Sequence, residues 1–262
     1  MPPNRLARTS AGDPARTIQL LWRDPAAVRQ RGPRQRLSVD EVVAAAIALA
    51  DAEGLEAVTM RRLAAGLAIV PMSLYTYVPG KAELLDLMLD AAYQTMPRER
   101  TAGQPWRKRL TAVASENKAL YDTHPWAAAL STIRPPLGPG MIAKYEHELS
   151  AFDDLGLPDV TTDACLTYLL SFVESCARTA ISARVTQEDS ALDDQQWWIA
   201  NAPLLARFLD ERTYPRATRI GAAAGAAHGS AHNPGFAYEF GLQRTLDAIA
   251  ALVSSEQATK PQ

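Results

Sequence analysis

The spacing of apolar residues predicts an all-α chain. From Ser38 onwards apolar positions recur with the helical period, and no segment shows the sustained alternation of a strand. The first periodic run begins at Ser38, which forms a capping box with Glu41 three residues later, and Gly54 ends it.

Three further helices are predicted before residue 97. Thr59 is the N-cap candidate of the second helix, and Pro71 stands where a third, short helix begins, at a position that tolerates its missing N–H. After the Pro79-Gly80 turn, the run from Lys81 to about Met96 predicts the fourth helix.

The polar stretch from Pro97 to Pro105 marks a domain boundary. We therefore divide the chain into an N-terminal arm (1–36), a small helical domain (37–96) and a C-terminal domain (97–262). Helices are predicted in the last of these at about 105–122, 125–132, 138–155, 159–186, 194–211 and 235–254. The segment 213–234, rich in Ala, Gly and His, is interpreted as a loop or a poorly defined helix.

Three short helices within about forty residues, the last two joined by a tight turn, describe a helix-turn-helix unit. The third helix is the candidate for reading DNA, because the N-terminal residues of such a helix reach base edges in the major groove. We expect Leu74 to pack inward while Met72, Ser73, Thr76 and Tyr77 are exposed.

The run from Thr59 to Leu85 resembles the DNA-binding domain of tetracycline-repressor (TetR) family regulators. The resemblance rests on the spacing of Leu74-Tyr75, Tyr77, Val78, Lys81 and Leu84-Leu85, and it covers residues 38–96. The Arg-rich N-terminal extension is similar to those of actinobacterial members of the family.

The resemblance implies roles for individual residues. Thr59 would cap the second helix and touch phosphate, and Arg61 would contact the groove or the backbone. Pro71, Met72 and Ser73 would face the bases. The positions that hold phosphates would be those of Tyr75, Tyr77 and Lys81. For Tyr75, a place in the apolar core is the alternative.

Two positions depart from the family pattern. The turn between the second and third helices usually carries glycine, and here it carries Ala68, which would be strained by about 1 kcal/mol in a left-handed conformation. Val70 stands where a capping Ser, Thr or Gly is usual, and a missing cap costs about 1 kcal/mol.

The same resemblance implies that the C-terminal helices bind a small-molecule inducer and form a homodimer. The helices at 159–186 and 235–254 carry enough apolar residues for both a core and an interface. Aromatic and polar residues interleave as a ligand site requires, although each alone is more often ordinary packing. The candidate ligand-binding residues are Tyr121, Trp126, Tyr145, His147, Phe172, Glu174, Trp197 and Phe208.

Charge is distributed unevenly along the 262 residues. The net charge is −2, yet residues 1–36 carry eight arginines against two aspartates, a net +6, which leaves −8 on the remainder. A basic arm is found in proteins that neutralise DNA phosphates, but it is also the composition of a solvated tail. The apolar island Ile18-Gln19-Leu20-Leu21-Trp22 inside the arm predicts that part of it docks on the protein or another surface.

Other classes of protein find less support. Nucleotide-binding, serine-hydrolase and zinc-protease motifs are absent, so we expect no enzyme, and no cofactor or metal is predicted. Cys165 and Cys176 are too far apart on one predicted helix to form a disulfide, and no apolar run is long enough to span a membrane. We expect a cytoplasmic, ligand-responsive DNA-binding regulator, most simply a repressor. The alternative is a helical ligand-binding or adaptor protein that does not bind DNA.

Overall fold

A computed structural model describes residues 7–23 and 37–259. Within these ranges the chain forms twelve α-helices and no strand; a single β-bridge joins Arg8 to Ser131. The helices are α1 (Pro14–Leu21), α2 (Val39–Glu53), α3 (Met60–Gly66), α4 (Pro71–Leu74), α5 (Lys81–Thr95), α6 (Trp106–Thr123), α7 (Pro125–Ala128), α8 (Pro139–Ser150), α9 (Asp159–Asp189), α10 (Asp194–Ala206), α11 (Pro215–His228) and α12 (Pro234–Thr259). A 3-10 turn covers Leu55–Ala57. The predicted all-α class is confirmed.

The first four predicted helices are α2 to α5, and their ends follow the local signals in the sequence. Ser38 and Glu41 form the predicted capping box at the start of α2, and Gly54 ends that helix with a φ of 82°. Thr59 caps α3 by accepting a hydrogen bond from the Arg62 N–H, and Pro71 opens α4. Both predicted departures also occur: Ala68 lies at a φ of 52°, and Val70 provides no side-chain cap.

The helix-turn-helix unit is held on α5 by one apolar core. Helices α2 and α5 pack together, and the buried set includes Val42 and Leu74 from the unit and Leu84 and Met88 from α5. The same core continues into Trp126 of α7. Helix α5 is therefore part of the predicted DNA-binding domain at residues 37–96, here called the head, and of its junction with the rest of the protein.

The C-terminal domain has its own core, formed by α6, α9 and α12 with the end of α8. Leu110, Leu169, Leu246 and Ile249 are at most 1% exposed in this cluster. Tyr121 packs against both cores.

Helices α10 and α11 lie against the rest of the chain with little burial. No residue of α10 is buried, and Gly225 is the one buried residue of α11. The interpretation of 213–234 as a loop or poorly defined helix is corrected here, because Pro215 and the left-handed Gly229 bound a regular helix of small residues. Helix α7 is also shorter than the predicted 125–132, ending at Ala128.

The apolar island in the arm docks on the protein, as the docking alternative predicted. Leu20 and Leu21 of α1 are buried, and α1 packs along α5. Five of the eight arm arginines, by contrast, lie outside the described residues: Arg5, Arg29, Arg31, Arg34 and Arg36.

Candidate DNA-binding and ligand sites

Helix α4 presents its first residues to solvent. Leu74 is fully buried and anchors the helix, while Met72 is 76% exposed beside the half-buried Ser73. Pro71 is also exposed. A short helix held by one leucine, with these three side chains at its free end, has the form needed to enter a major groove.

Two other exposed groups flank α4. Thr59 and Arg61 lie at the start of α3, where Thr59 is occupied as a cap and Arg61 is exposed. The neighbouring Arg62 forms an ion pair with Glu53 of α2. Arg61 is therefore better placed than Arg62 for a contact outside the protein.

The positions that the family resemblance predicts to hold phosphates lie at the α4–α5 turn. Tyr75 is 41% exposed, which favours its surface role over the core alternative. Lys81 begins α5 and donates a long hydrogen bond, 3.4 Å, to the Leu55 carbonyl oxygen. Gly80 offers no side-chain cap, so the first N–H groups of α5 are available to an anion such as a phosphate.

Tyr77 departs from its predicted place. Its side chain is only 6% exposed and belongs to the core that joins the head to α5. The expectation of an exposed Tyr77 is corrected: with α4 limited to Pro71–Leu74, residues 77 and 78 turn back against the core.

The candidate ligand residues do not form one site. Trp126 is buried at the junction of the domains, and its indole N–H donates to Asp51 of α2 over 2.7 Å. Tyr145 and His147 are bound to Asp163 and Glu116, respectively. The polar atoms of these three side chains therefore already have hydrogen-bond partners within the protein.

The last three candidates differ in burial. Phe172 packs against the C-terminal core and stacks on Tyr238 of α12, with ring centroids 5.9 Å apart. Trp197 of α10 is 46% exposed, and Phe208 just beyond that helix is 83% exposed. The positions of aromatic residues in a sequence do not show which of them line a cavity and which lie on an outer face. The candidate ligand residues are therefore scattered in the structure.

Tyr121 and Glu174 do come together, in a buried polar cluster between α5, α6, α8 and α9. At its centre the Lys144 ammonium donates to both carboxylate oxygens of Glu148, at 2.7 and 2.8 Å, and Asn117 donates to Glu148 at 2.5 Å. All three side chains are nearly inaccessible to solvent. Buried charges are costly even when paired, so such a cluster inside an apolar domain is a candidate functional site.

Two tyrosines with raised pKa values, Tyr93 and Tyr121, border this cluster. Burial, and then the neighbouring Tyr121 and the carboxylates, raise the pKa of Tyr93 well above its ordinary value. Burial likewise raises the pKa of Tyr121, with Glu174 and Glu148 adding to it. Both phenols therefore stay neutral and retain their O–H donors.

Glu174 forms the outer side of the cluster. Burial raises the pKa of Glu174, and its ion pair with Arg178 acts in the opposite direction. Arg178 also donates to the Ala128 carbonyl oxygen at the end of α7, at 2.6 Å. The cluster is thus connected through Arg178 to the junction between the domains.

Sequence reasoning did not identify five members of the cluster, namely Tyr93, Asn117, Lys144, Glu148 and Arg178. One signal was present: Lys144 and Glu148 are four residues apart, as in many solvated helix pairs, so their burial was not evident without the packing of α8 on α5. Among the described residues no group of metal-binding side chains is found, and no helix is long and apolar enough to cross a membrane.

Comparison with known proteins matches both parts of the chain. Residues 42–88 match the family model described as bacterial regulatory proteins, tetR family, and residues 99–253 match the tetracyclin repressor-like C-terminal domain. A curated relative, the HTH-type transcriptional repressor DrrR1 of Streptomyces coeruleorubidus, is 38% identical over 251 residues, covering 95% of this chain and 90% of the relative.

Solved structures give the same picture. The TetR family protein ActR of Streptomyces coelicolor in complex with (S)-DNPA has a TM-score of 0.66 at 26% identity, covering 83% of this chain and 98% of ActR. ActR in complex with actinorhodin has a TM-score of 0.67 at 25% identity, covering 82% and 96%.

Proposed function

The chain belongs to the TetR family of bacterial transcriptional regulators, and from that premise we propose that it is a repressor released from its operator by a small molecule. One observation carries the proposal. Helix α5 packs against α2 in the core of the head and brings Tyr93, near its C-terminal end, to the buried polar cluster. A displacement of α5 caused at the cluster is therefore transmitted to the reading helix.

The DNA-binding part of the proposal assigns roles to the exposed residues of the head. Pro71, Met72 and Ser73 face the bases, while Arg61 and Lys81 hold phosphates together with Thr59 and Tyr75. Buried Tyr77 instead fixes the turn that positions them. Two heads of a homodimer would occupy successive major grooves of a pseudo-palindromic operator in the cytoplasm.

The ligand part places the inducer at the buried polar cluster. ActR, which has the same fold, is known with small molecules bound, and DrrR1 is named a repressor. The groups available here are two neutral phenols, an amide and the Lys144–Glu148 pair. We infer a ligand with an apolar body and several hydroxyl or carbonyl oxygens. It must prefer the conformation that does not bind DNA, since equal affinity for both would shift nothing.

The homodimer follows from apolar surface that the single chain leaves uncovered. Phe236, Phe240 and Leu252 of α12 and Tyr168 of α9 are each between 43% and 56% exposed. Helices α10 and α11 add further exposed apolar side chains. Exposed apolar side chains in this number support a protein–protein interface formed by these helices.

The test begins with selection of operator DNA from a random duplex library by the wild-type protein. Met72→Ala should weaken binding to the selected duplex about tenfold by removing base contacts and leave the salt dependence unchanged. Lys81→Ala should reduce the salt slope by about one unit per subunit, because one phosphate contact is lost. Arg62→Ala, which removes a side chain paired with Glu53, is the matched control and should leave the affinity near that of the wild type. Failure of the wild-type protein to select any DNA would favour the non-DNA-binding adaptor instead.

The ligand site is tested separately. A thermal-shift screen of small molecules on the full-length protein should find compounds that raise the melting temperature and release the selected duplex. Tyr121→Phe removes one phenol without opening a cavity and should weaken such a compound about fivefold to tenfold by loss of a hydrogen bond. Tyr145→Phe is the control, since Tyr145 lies outside the cluster. Equal effects of the two variants would place the ligand elsewhere.

A further inference from the structure

Residues 7–23 form a strap that runs across both domains. Its first residues pair with the loop that follows α7, where the Ser131 N–H donates to the Ala7 carbonyl oxygen at 2.9 Å. Its second part, α1, packs along α5. The strap therefore contacts both the C-terminal domain and α5.

The attachment to the C-terminal domain consists of polar contacts. The Thr9 hydroxyl, buried, lies within hydrogen-bond distance of the carbonyl oxygens of Ser131 and Arg134, at 3.0 and 2.6 Å. The Ser10 hydroxyl donates to the Pro135 carbonyl oxygen at 3.1 Å. Contacts to three carbonyl groups of one loop fix the position of that loop relative to the strap.

The attachment to the head is both apolar and ionic. Leu20 and Leu21 are buried in the core that includes α5, and the Arg23 guanidinium pairs with Asp40 at the start of α2. The Trp22 indole N–H reaches back to the Leu137 carbonyl oxygen at 2.8 Å. The strap thus returns to the same loop after crossing α5.

Under the strap, α5 presents one line of carboxylates formed by Glu83, Asp86 and Asp90, all buried. The Ser10 N–H donates to Asp86 at 2.7 Å. One turn further along, Asp90 accepts hydrogen bonds from the N–H groups of Gly140 and Met141 at the start of α8, at 3.2 and 2.8 Å. The strap and α8 are therefore bound to the same face of α5.

We propose that the strap is an intramolecular clamp that holds the DNA-binding head in its DNA-binding orientation on the C-terminal domain and opens when the head is released. A displacement of α5 relative to α8 would separate α5 from the loop that follows α7, and the strap is hydrogen-bonded to both. This inference rests on the proposed function. It differs from a simple extension of the DNA contact, because it requires no phosphate to touch residues 7–23.

The test uses a strap variant without a change of charge. Thr9→Val with Ser10→Ala removes the side-chain hydrogen bonds to the loop and leaves every arginine in place. Operator affinity should fall roughly fivefold to tenfold as the binding orientation loses population, with an unchanged salt slope. In the DNA-free protein, amide exchange should quicken in residues 131–141. Gln19→Ala, on the exposed side of α1, should change neither quantity.

A reversible disulfide tests the opposite change, in which the attachment of the strap to the C-terminal domain is strengthened. Arg8→Cys with Ser131→Cys places two thiols across the β-bridge, and the reduced form of the same protein is the control. The oxidised form should bind the selected duplex at least as tightly as the reduced form. Weaker binding on oxidation, or faster exchange in the Thr9/Ser10 variant without loss of affinity, would overturn the clamp. Failure of the wild type to bind any duplex would instead overturn the proposed function.

Discussion

At the scale of single residues, the backbone conformation at Ala68 was predictable because the turn between two helices required it. Its φ of 52° confirms a left-handed alanine. The burial of the two nearby tyrosines, Tyr75 and Tyr77, was not predictable in the same way. Tyr75 and Tyr77 have the same chemistry and stand two residues apart, and only the tertiary packing of the α4–α5 turn decides which one is buried.

Replacing Ala68 with glycine should stabilise the protein. Glycine adopts the same left-handed conformation without the steric cost of about 1 kcal/mol that a Cβ brings there, and the gain is reduced by a fraction because the unfolded chain becomes freer. Ala65→Gly, at an exposed site inside α3, is the matched control and should destabilise by about 1 kcal/mol. Urea unfolding of both variants gives the comparison, and equal effects would show that residue 68 is not strained.

Asp86 should make stability depend on pH. Burial raises the pKa of Asp86 to about 6, with the Ser10 N–H opposing this and Glu83 adding to it. The folded protein then binds a proton more readily than the unfolded chain, whose carboxyl has a pKa of 3.8. The resulting contribution, at most about 3 kcal/mol, is present below pH 3.8 and is lost as the pH rises through 6.

The measurement is the free energy of unfolding at pH about 5 and about 7.5 for the wild type and for Asp86→Asn. The wild type should lose more stability than the variant over this interval, since asparagine does not titrate while its carbonyl oxygen still accepts from Ser10. Asp90 and Glu174, whose pKa values are also raised by burial, remain in both proteins and cancel in the comparison. Parallel pH profiles would contradict the assignment to Asp86.

At the scale of elements, helix ends were easier to predict than helix neighbours. The Ser38–Glu41 box, the Thr59 cap and the Pro71 start are local features, and each appears as expected. Helix α11 was not predicted with confidence, because its small residues give no apolar stripe. The packing of α8 against α5, which creates the buried cluster, depends on a close approach that no periodicity reveals.

Gly140 allows that close approach. A Cβ at this position would overlap the backbone carbonyl oxygen of Asp90, which cannot move without displacing α5. Gly140→Ala should therefore destabilise the protein by about 2 kcal/mol or more, as expected for overpacking. Gly221→Ala in α11, where nothing lies within 4 Å, should instead stabilise it by up to about 1 kcal/mol. Thermal unfolding of the pair decides whether contact or helix propensity dominates at residue 140.

At the scale of the whole molecule, the sequence was sufficient for the class of fold, the DNA-binding unit and the two functional parts. The charge pattern of the sequence did not predict how the arm is placed, because a basic arm is compatible with DNA binding and with a solvated tail. The described part of the basic arm, from Ala7 to Arg23, is attached to the protein both by the buried Leu20 and Leu21 and by the ion pair of Arg23 with Asp40. The buried polar cluster that we propose as the ligand site was only partly predicted, since burial, and not residue type, distinguishes Lys144 and Glu148 from a solvated pair.

Assembly into a homodimer can be separated from folding by the choice of residue on α12. The periodicity of the sequence makes Leu246 and Ile249 attractive interface positions, but both are 1% exposed within the single chain. Leu246→Asp should therefore unfold the protein by burying an unpaired charge. Phe240, 55% exposed on the same helix, is the position that tests the interface.

Phe240→Asp should leave the helical circular dichroism intact, because the side chain contributes little to the chain's own core. It should shift the sedimenting species from dimer to monomer, since a charge within a closed apolar interface has no partner there. Operator affinity should fall with the dimer, because a single head covers only one half-site. A folded dimer carrying aspartate at position 240 would move the interface away from this face of α12 and towards the exposed helices α10 and α11.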